Sequence, residues 1–381
     1  MRRKILLYNN HFIDGGVEVF LKCVAEYLAD SGYDVTVVAQ PRTKAERHHP
    51  YGPKVRCVWR PFLKSGVKKH TTFWFWDHFR FRILDGVVNT YLSLQRFDIV
   101  VAAKEKYVMR DALRIRGKQK FAWIHMDYST RVEMHTACFA TPEEELACMR
   151  RYDKVVCVSE ITRKGILQKV GDPGNLVVKY VPIDYGNIIR LSQAPCPMKR
   201  NQDRPLIVSV GRLIPEKQFD MLIRSCGSIY NERAFDLWII GDGKERKALE
   251  AYITQENYDF VRLLGMQENP YNYLAQADIF VSSSCTESYG LAVQEALILG
   301  IPVVAVRCPG IEEALDPRFG VVTENNVEAL SNSIRFFLQK PEEIKRYRDV
   351  ISSQYRRSDL YEKRMEDIEA LWKGDETCSL L

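Results

Sequence analysis

The stretch DIFVSSSCTESYGLAVQEALILG, residues 278–300, sets the frame for this 381-residue chain. DIFVSSS is apolar and β-branched enough for a buried strand, CTES is a short polar connection, and YGLAVQEALILG reads as a helix. Gly300 and Pro302 mark the helix end. Strand, connection and helix in that order belong to a parallel sheet covered by helices. Two glutamates lie here eight positions apart, Glu287 just ahead of the helix and Glu295 two turns inside it. At 1.5 Å per residue their Cα atoms are roughly 10–12 Å apart along the axis. Carboxylates that cleave a glycosidic bond with retention converge to about 5–5.5 Å. Two anchors along one elongated ligand fit this spacing better than an acid–base pair. Between them a helix start at Tyr289, Gly290 and Leu291 offers free N–H groups to a phosphate. Taken alone, both glutamates could equally be solvated.

The same alternation runs outward from this stretch. In the first half, KILLYNN (4–10), VTVVA (35–39), DIVVAA (98–103), FAWIH (121–125) and KVVCVS (154–159) read as buried strands. Asp14-Gly15-Gly16 is a turn after the first, and Phe20, Leu21, Val24 and Leu28 then share one helical face. LSQAPCPMKRNQDRP (191–205) has three prolines among polar residues and no periodicity, so it reads as a linker. A second series follows with LIVSVG, DLWIIGDG, VRLLG, DIFVSSS and IPVVAV, and the pattern is helical from Val327 to about Trp372. The fold class expected is α/β: two doubly wound Rossmann-like domains, 1–198 and 199–357, with ligands at the carboxyl ends of the strands.

Composition bounds the function. Apolar content is 46%, enough for a core in each half, and no apolar run reaches the 18 residues of a membrane-spanning helix. The apolar run in MRRKILLYNN is too short for a signal peptide, and the ten cysteines are scattered, so a reduced, cytoplasmic protein is expected. No C-x-x-C, H-x-x-x-H or plausible D-x-D spacing implies a metal. Neither DGGVE nor GDGKER completes G-x-G-x-x-G, which disfavours a dehydrogenase and leaves a non-catalytic nucleotide-binding module as a rival. Residues 1–198 hold 32 Lys/Arg against 20 Asp/Glu, and the remainder 23 against 29. The basic first half favours an anionic partner.

At the end of LIVSVG comes GRLIPEKQFD, where Arg212 and Lys217 follow a glycine, Gly211. Two cations at a strand end could clamp a diphosphate, though alone they make only a basic loop. At this point GRLIPEKQFDMLI, DLWIIGDGKERKAL, VRLLGMQENPYNYLAQADIFVSSSCTESYGLAVQEAL and GIPVVAVRCPGIEEAL, in that order, resemble the retaining glycosyltransferases of family 4 (GT4), which have the GT-B fold. The likeness covers most of 205–325. It is looser in the first half, where GGVEVFLKCVAEYLADSGYDVTVV and VCVSEITRKGIL still fit, and residues 42–95 match no pattern.

The resemblance implies a hexosyltransferase using a nucleotide-diphosphate sugar, UDP-linked, with no metal or other cofactor. It implies that Arg212 and Lys217 grip the diphosphate, that Glu287 lies near the donor sugar and that Glu295 binds the ribose. Gly15-Gly16, Gly211, Ser288, Tyr289, Gly290 and Leu291 would line the donor site. His125 falls where the family has a histidine touching the donor sugar; a lone histidine at a strand end is otherwise a structural one. The C-terminal helix, about 358–381, would pack back onto the first domain. VPIDYGNI has Val181 where the family has Asn, so Asp184 is expected to cap a turn and not to bind ligand.

Residues 42–82 contain eleven Lys/Arg against Glu46 and Asp77, and TTFWFWDHFRF sits among them. Trp74, Trp76 and Phe79 beside Lys64, Lys68, Lys69, Arg80 and Arg82 suit an anionic membrane surface. The aromatics could instead fill the core, and nucleic acid is the weakest of the three readings. Transfer to a surface glycan or lipid-linked acceptor at the inner membrane face is therefore expected, with a soluble sugar acceptor as the alternative.

Overall fold

The computed structural model describes residues 2–9, 15–39, 51–60, 72–129, 138–355 and 360–373, with side chains from Ile83 onward in the helix Thr72–Leu94. The chain divides into two compact units, 1–183 with 362–381, and 184–361.

The first unit is built on seven parallel strands: β1 (Lys4–Tyr8), β2 (Asp34–Ala39), β3 (Arg56–Trp59), β4 (Phe97–Ala102), β5 (Gly117–Ile124), β6 (Lys154–Cys157) and β7 (Leu176–Val178). Their order is β3-β2-β1-β4-β5-β6-β7. Ile5, Leu6, Val100 and Ala122 are wholly buried, as expected where helices cover both faces of a parallel sheet. The second unit has six parallel strands: β8 (Leu206–Val210), β9 (Asp236–Ile240), β10 (Val261–Gly265), β11 (Ile279–Ser282), β12 (Val303–Val306) and β13 (Gly320–Thr323). Their order is β10-β9-β8-β11-β12-β13. One core lies on each face of this sheet, around Phe219, Phe235 and Phe337 on one side and Trp238, Phe280 and Leu297 on the other.

The expected division at 198/199 is corrected to 183/184. Asp184 caps the helix Tyr185–Ser192 by accepting from the Asn187 amide at 2.8 Å. The proline-containing stretch after it lies along the second unit. Asn269 donates to the Leu191 carbonyl at 2.8 Å, and Asn272 to that of Pro195 at 3.0 Å. Arg200 bonds both the Gln276 carbonyl and Asp278 at 2.6 Å. At the other end, the helix Glu362–Lys373 belongs to the first unit. Trp372 is buried edge-on to Phe121 at 4.9 Å, and Arg3 donates to the Trp372 carbonyl at 3.0 Å.

The basic, aromatic region contains β3 and the helix Thr72–Leu94. Trp74, Trp76, Phe79, Arg80 and Arg82 lie outside the side chains described, and Lys64, Lys68 and Lys69 outside the described residues. Arg60, one of the eleven Lys/Arg of residues 42–82, is buried. Its Nε donates to Asp85 at 2.7 Å, its Nη1 lies 3.4 Å from Asp111, and the guanidinium covers the Tyr8 ring. No described helix is long and apolar enough to cross a membrane.

Candidate active site

In each sheet the strand order reverses once, between β1 and β4 and between β8 and β11. Ligands of doubly wound sheets bind beyond the carboxyl ends at such a switch point.

In the second unit the loop after β8 is pinned to the end of β9. The Gly211 amide donates to the Ile240 carbonyl at 3.0 Å and the Leu213 amide to the Asp242 carbonyl at 2.9 Å. Pro215–Lys217 then form one 3-10 turn, and Gln218 follows with φ +48, a left-handed conformation that is uncommon outside glycine. The loop after β11 docks on this turn. Ser283 Oγ donates to the Lys217 carbonyl at 2.7 Å, and the Cys285 amide to that of Glu216 at 3.0 Å.

This docking joins two of the expected residues: Lys217 Nζ lies 2.5 Å from Glu287 Oε1, both side chains about one-fifth exposed. Lys217 is therefore not a free cation. Arg212 is exposed, and its guanidinium has no hydrogen-bond or ion-pair partner among the described residues. Gly310, in the first turn of the helix Pro309–Ala314, backs directly onto Glu287: a Cβ there would stand 1.9 Å from the Glu287 carbonyl oxygen.

The helix expected to start at Tyr289 starts at Leu291 and runs to Ile298. Gly290 is its cap, with φ +65, and its carbonyl accepts from the Val293 amide at 2.9 Å and the Gln294 amide at 3.2 Å. The first helical amides, which have no partner within the helix, are thus those of Leu291 and Ala292. Ser288 and the buried Tyr289 lie in the loop ahead of it, which sets Glu287 four residues before the helix. Glu295, partly buried on the second turn, accepts a hydrogen bond from Tyr271 Oη at 3.1 Å. Burial pushes its carboxyl up to about 7, and the Tyr271 hydrogen bond opposes the rise. The two glutamates engage different partners.

In the first unit the switch point falls between Tyr8 and Ala102. Gly15 precedes the helix Gly16–Asp30, and its carbonyl accepts from the amides of Glu18 and Val19, both at 3.1 Å. Its backbone is extended (φ −170), which any residue adopts, so conformation is not what glycine supplies there. His125 follows β5. Its amide donates to the buried Glu105 at 3.0 Å, and its ring meets Phe20 edge-on at 4.8 Å. Burial, with the charge of Lys104 adding to it, pushes the imidazole down to about 3, while a backbone hydrogen bond to Ala103 opposes the drop. The ring is neutral at pH 7. Its Nε2 is buried with no partner among the described residues. With Nδ1 donating to Ala103, Nε2 is left as a hydrogen-bond acceptor.

Sequence reading missed Tyr271, Glu105, Ser283 and Gly310. Only Gly310 carried a signal, as a glycine after proline at a strand end. Among the described residues no grouping of three His, Cys, Asp or Glu side chains is placed to hold a metal.

Two family models match the chain: Glycosyltransferase Family 4 over residues 14–186 and Glycosyl transferases group 1 over 197–356. The chain belongs to the family 4 glycosyltransferases. Within the family it is 26% identical over 308 residues to the lipopolysaccharide core biosynthesis glycosyltransferase LpsE of Rhizobium meliloti, covering 78% of this chain and 77% of that protein. It is 26% identical over 200 residues to the GDP-mannose-dependent alpha-(1-6)-phosphatidylinositol dimannoside mannosyltransferase of Mycobacterium tuberculosis, covering 51% of each. The fold is that of Anabaena HepE, solved in complex with UDP and glucose, with a TM-score of 0.74 at 18% identity over 98% of this chain and 100% of that one. Sucrose-phosphate synthase of Thermosynechococcus elongatus gives 0.75 at 17% identity, covering 98% of this chain and 99% of that one. These family 4 likenesses make the protein a GT-B glycosyltransferase.

Proposed function

We propose that the protein is a retaining, metal-independent hexosyltransferase. It takes a hexose from a UDP-sugar and passes it to a surface-glycan or lipid-linked acceptor at the inner face of the membrane. The observation that carries this reading is the junction of the β8 and β11 loops, where Lys217 and Glu287 meet beside a glycine-capped helix start. Arg212 and Lys217 bind the diphosphate. Lys217 has three N–H donors, so it can keep Glu287 and still reach a phosphate oxygen. The Leu291 and Ala292 amides add helix-end charge of the same sign. Glu295 takes the ribose hydroxyls. In the first unit, His125 Nε2 is left to accept from a sugar hydroxyl, and the Gly15-Gly16 turn, at the start of the helix Gly16–Asp30, lets amides approach a phosphate.

Glu287 is paired with Lys217 and is not used as a nucleophile. The acceptor oxygen then bonds to the anomeric carbon on the face from which the diphosphate leaves, and the acceptor proton passes to the departing phosphate oxygen. The cations and amides stabilise charge where it develops on that oxygen, which is the work a divalent ion does elsewhere. UDP is favoured by the ligand of HepE, and a surface-glycan or lipid-linked acceptor by the names of the two relatives.

The test is a panel of nucleotide-sugar donors with lipid-linked and free glycan acceptors, read as nucleotide release and as product anomer by NMR. UDP release with retained anomeric configuration is expected. An inverted product, or release that requires a divalent ion, would refute the mechanism.

A further inference from the structure

The helix Thr72–Leu94 carries five of the eight exposed large apolar side chains among the described residues, so its outer face is unlike the rest of the surface. They are Ile83, Leu84, Val87, Tyr91 and Leu94, with Val87 60% and Leu94 72% exposed. At about 100° per residue, all five fall within an arc of about 100°. The opposite face is committed to the fold. Leu92 is wholly buried and Val88 packs on the same core. Asp85, buried, takes Arg60 Nε at 2.7 Å and Asn89 Nδ2 at 3.2 Å, and Arg60 in turn reaches Asp111. Rolling the helix to hide its outer face would separate that buried pair and leave a charge uncompensated. The stripe is therefore held outward, and a contiguous apolar patch held outward is a contact surface.

We propose that this face docks on a bilayer containing anionic lipid. The charge around it selects that occupant. Between Ile83 and Arg96 the one acidic residue is Asp85, which is buried and paired, while Arg96 is exposed beyond the end of the helix. The sequence leading in, residues 61–82, has Lys64, Lys68, Lys69, Arg80 and Arg82 against Asp77. From Ile83 to Arg96 the apolar stripe has no exposed carboxylate beside it, and it follows a basic stretch of sequence, a combination that suits anionic headgroups over acyl chains. A second copy of the chain fits less well, since a two-fold contact would set this basic stretch of sequence against itself. This inference rests on the membrane-face reading above and names its contact surface; donor binding is independent of it.

The test is flotation of the full chain with phosphatidylcholine vesicles, with and without phosphatidylglycerol, at low and high salt. The wild type is compared with a Val87→Ser, Leu94→Ser variant, and UDP binding and the thermal midpoint are read on the same samples. The wild type is expected to float with anionic vesicles only, and to be released as salt shortens the Debye length from about 10 Å at 0.1 M to about 3 Å at 1 M. The variant is expected to bind about tenfold or more weakly, with an unchanged melt and unchanged UDP affinity. A wild type that binds UDP yet ignores anionic vesicles would overturn the docking and leave the donor reading intact. A folded variant that floats like the wild type would overturn the assignment to this face. So would a wild-type dimer that the variant loses without any vesicle binding.

Discussion

Glu287 and Glu295 are the same residue type on one connection, and their surroundings give them different chemistry. Glu287 lies against a lysine ammonium, whereas Glu295 is partly buried against a tyrosine hydroxyl and its carboxyl is raised to about 7. The sign of the Glu295 effect on stability follows from linkage. A carboxyl whose folded value lies above its ordinary one binds more protons in the native state, so stability falls as pH rises from about 4.5 to about 7. Glu295→Gln removes that loss. Thermal melts at pH 5 and pH 8 are expected to show the variant gaining on the wild type at the higher pH. Parallel melting profiles would mean that Glu295 is an ordinary solvated carboxylate. The spacing of these glutamates already argued for two anchors; nothing in it could show that one is salt-bridged to Lys217, because that contact spans 70 residues of sequence.

At the level of elements, the donor-side chemistry depends on how the helix Leu291–Ile298 begins. Its expected start at Tyr289 was two residues early, because Gly290 holds a left-handed turn that apolar periodicity does not register. Gly290→Ala places a Cβ 3.0 Å from Ile311 Cδ1 and forces an L side chain into φ +65. The cost is about 1–2 kcal/mol of stability. The same change moves the Leu291 and Ala292 amides, so UDP affinity is expected to fall with the melting temperature. Calorimetry and thermal melts on one preparation check this. A variant that melts lower but binds UDP unchanged would remove the helix start from the site. Ten strands were legible in the sequence because each is a short, dense apolar run bounded by polar residues or glycine. β3, β7 and β13 were not, being three or four residues long and without two adjacent buried residues, and Arg56 to Trp59 has no buried residue at all. The helix Thr72–Leu94 was missed for another reason. It is apolar on two faces, and the charge that fixes its rotation, Asp85, looks in sequence like any surface residue.

For the molecule as a whole, the two-fold repetition of the doubly wound pattern was readable because strands and helices alternate from end to end. The boundary was not, since a proline-rich stretch signals an irregular path and cannot say which surface the chain lies along. Asn269, Asn272 and Asp278 decide that, and they are contributed from 77 or 78 residues downstream. What the second unit binds is tested most directly by isothermal titration of UDP into the full chain, wild type and with Arg212→Ala and Lys217→Ala combined. Arg212 is exposed and has no partner among the described residues, so its removal takes away charge meant for a ligand; removing Lys217 also frees Glu287 to repel a phosphate. The wild type is expected to bind UDP saturably and without added metal. The double variant is expected to bind about 10²-fold more weakly or worse, two charge-assisted contacts being worth at least ~1.5 kcal/mol each. No binding by the folded wild type, or equal affinity in the two proteins, would contradict a diphosphate site at the junction of the β8 and β11 loops.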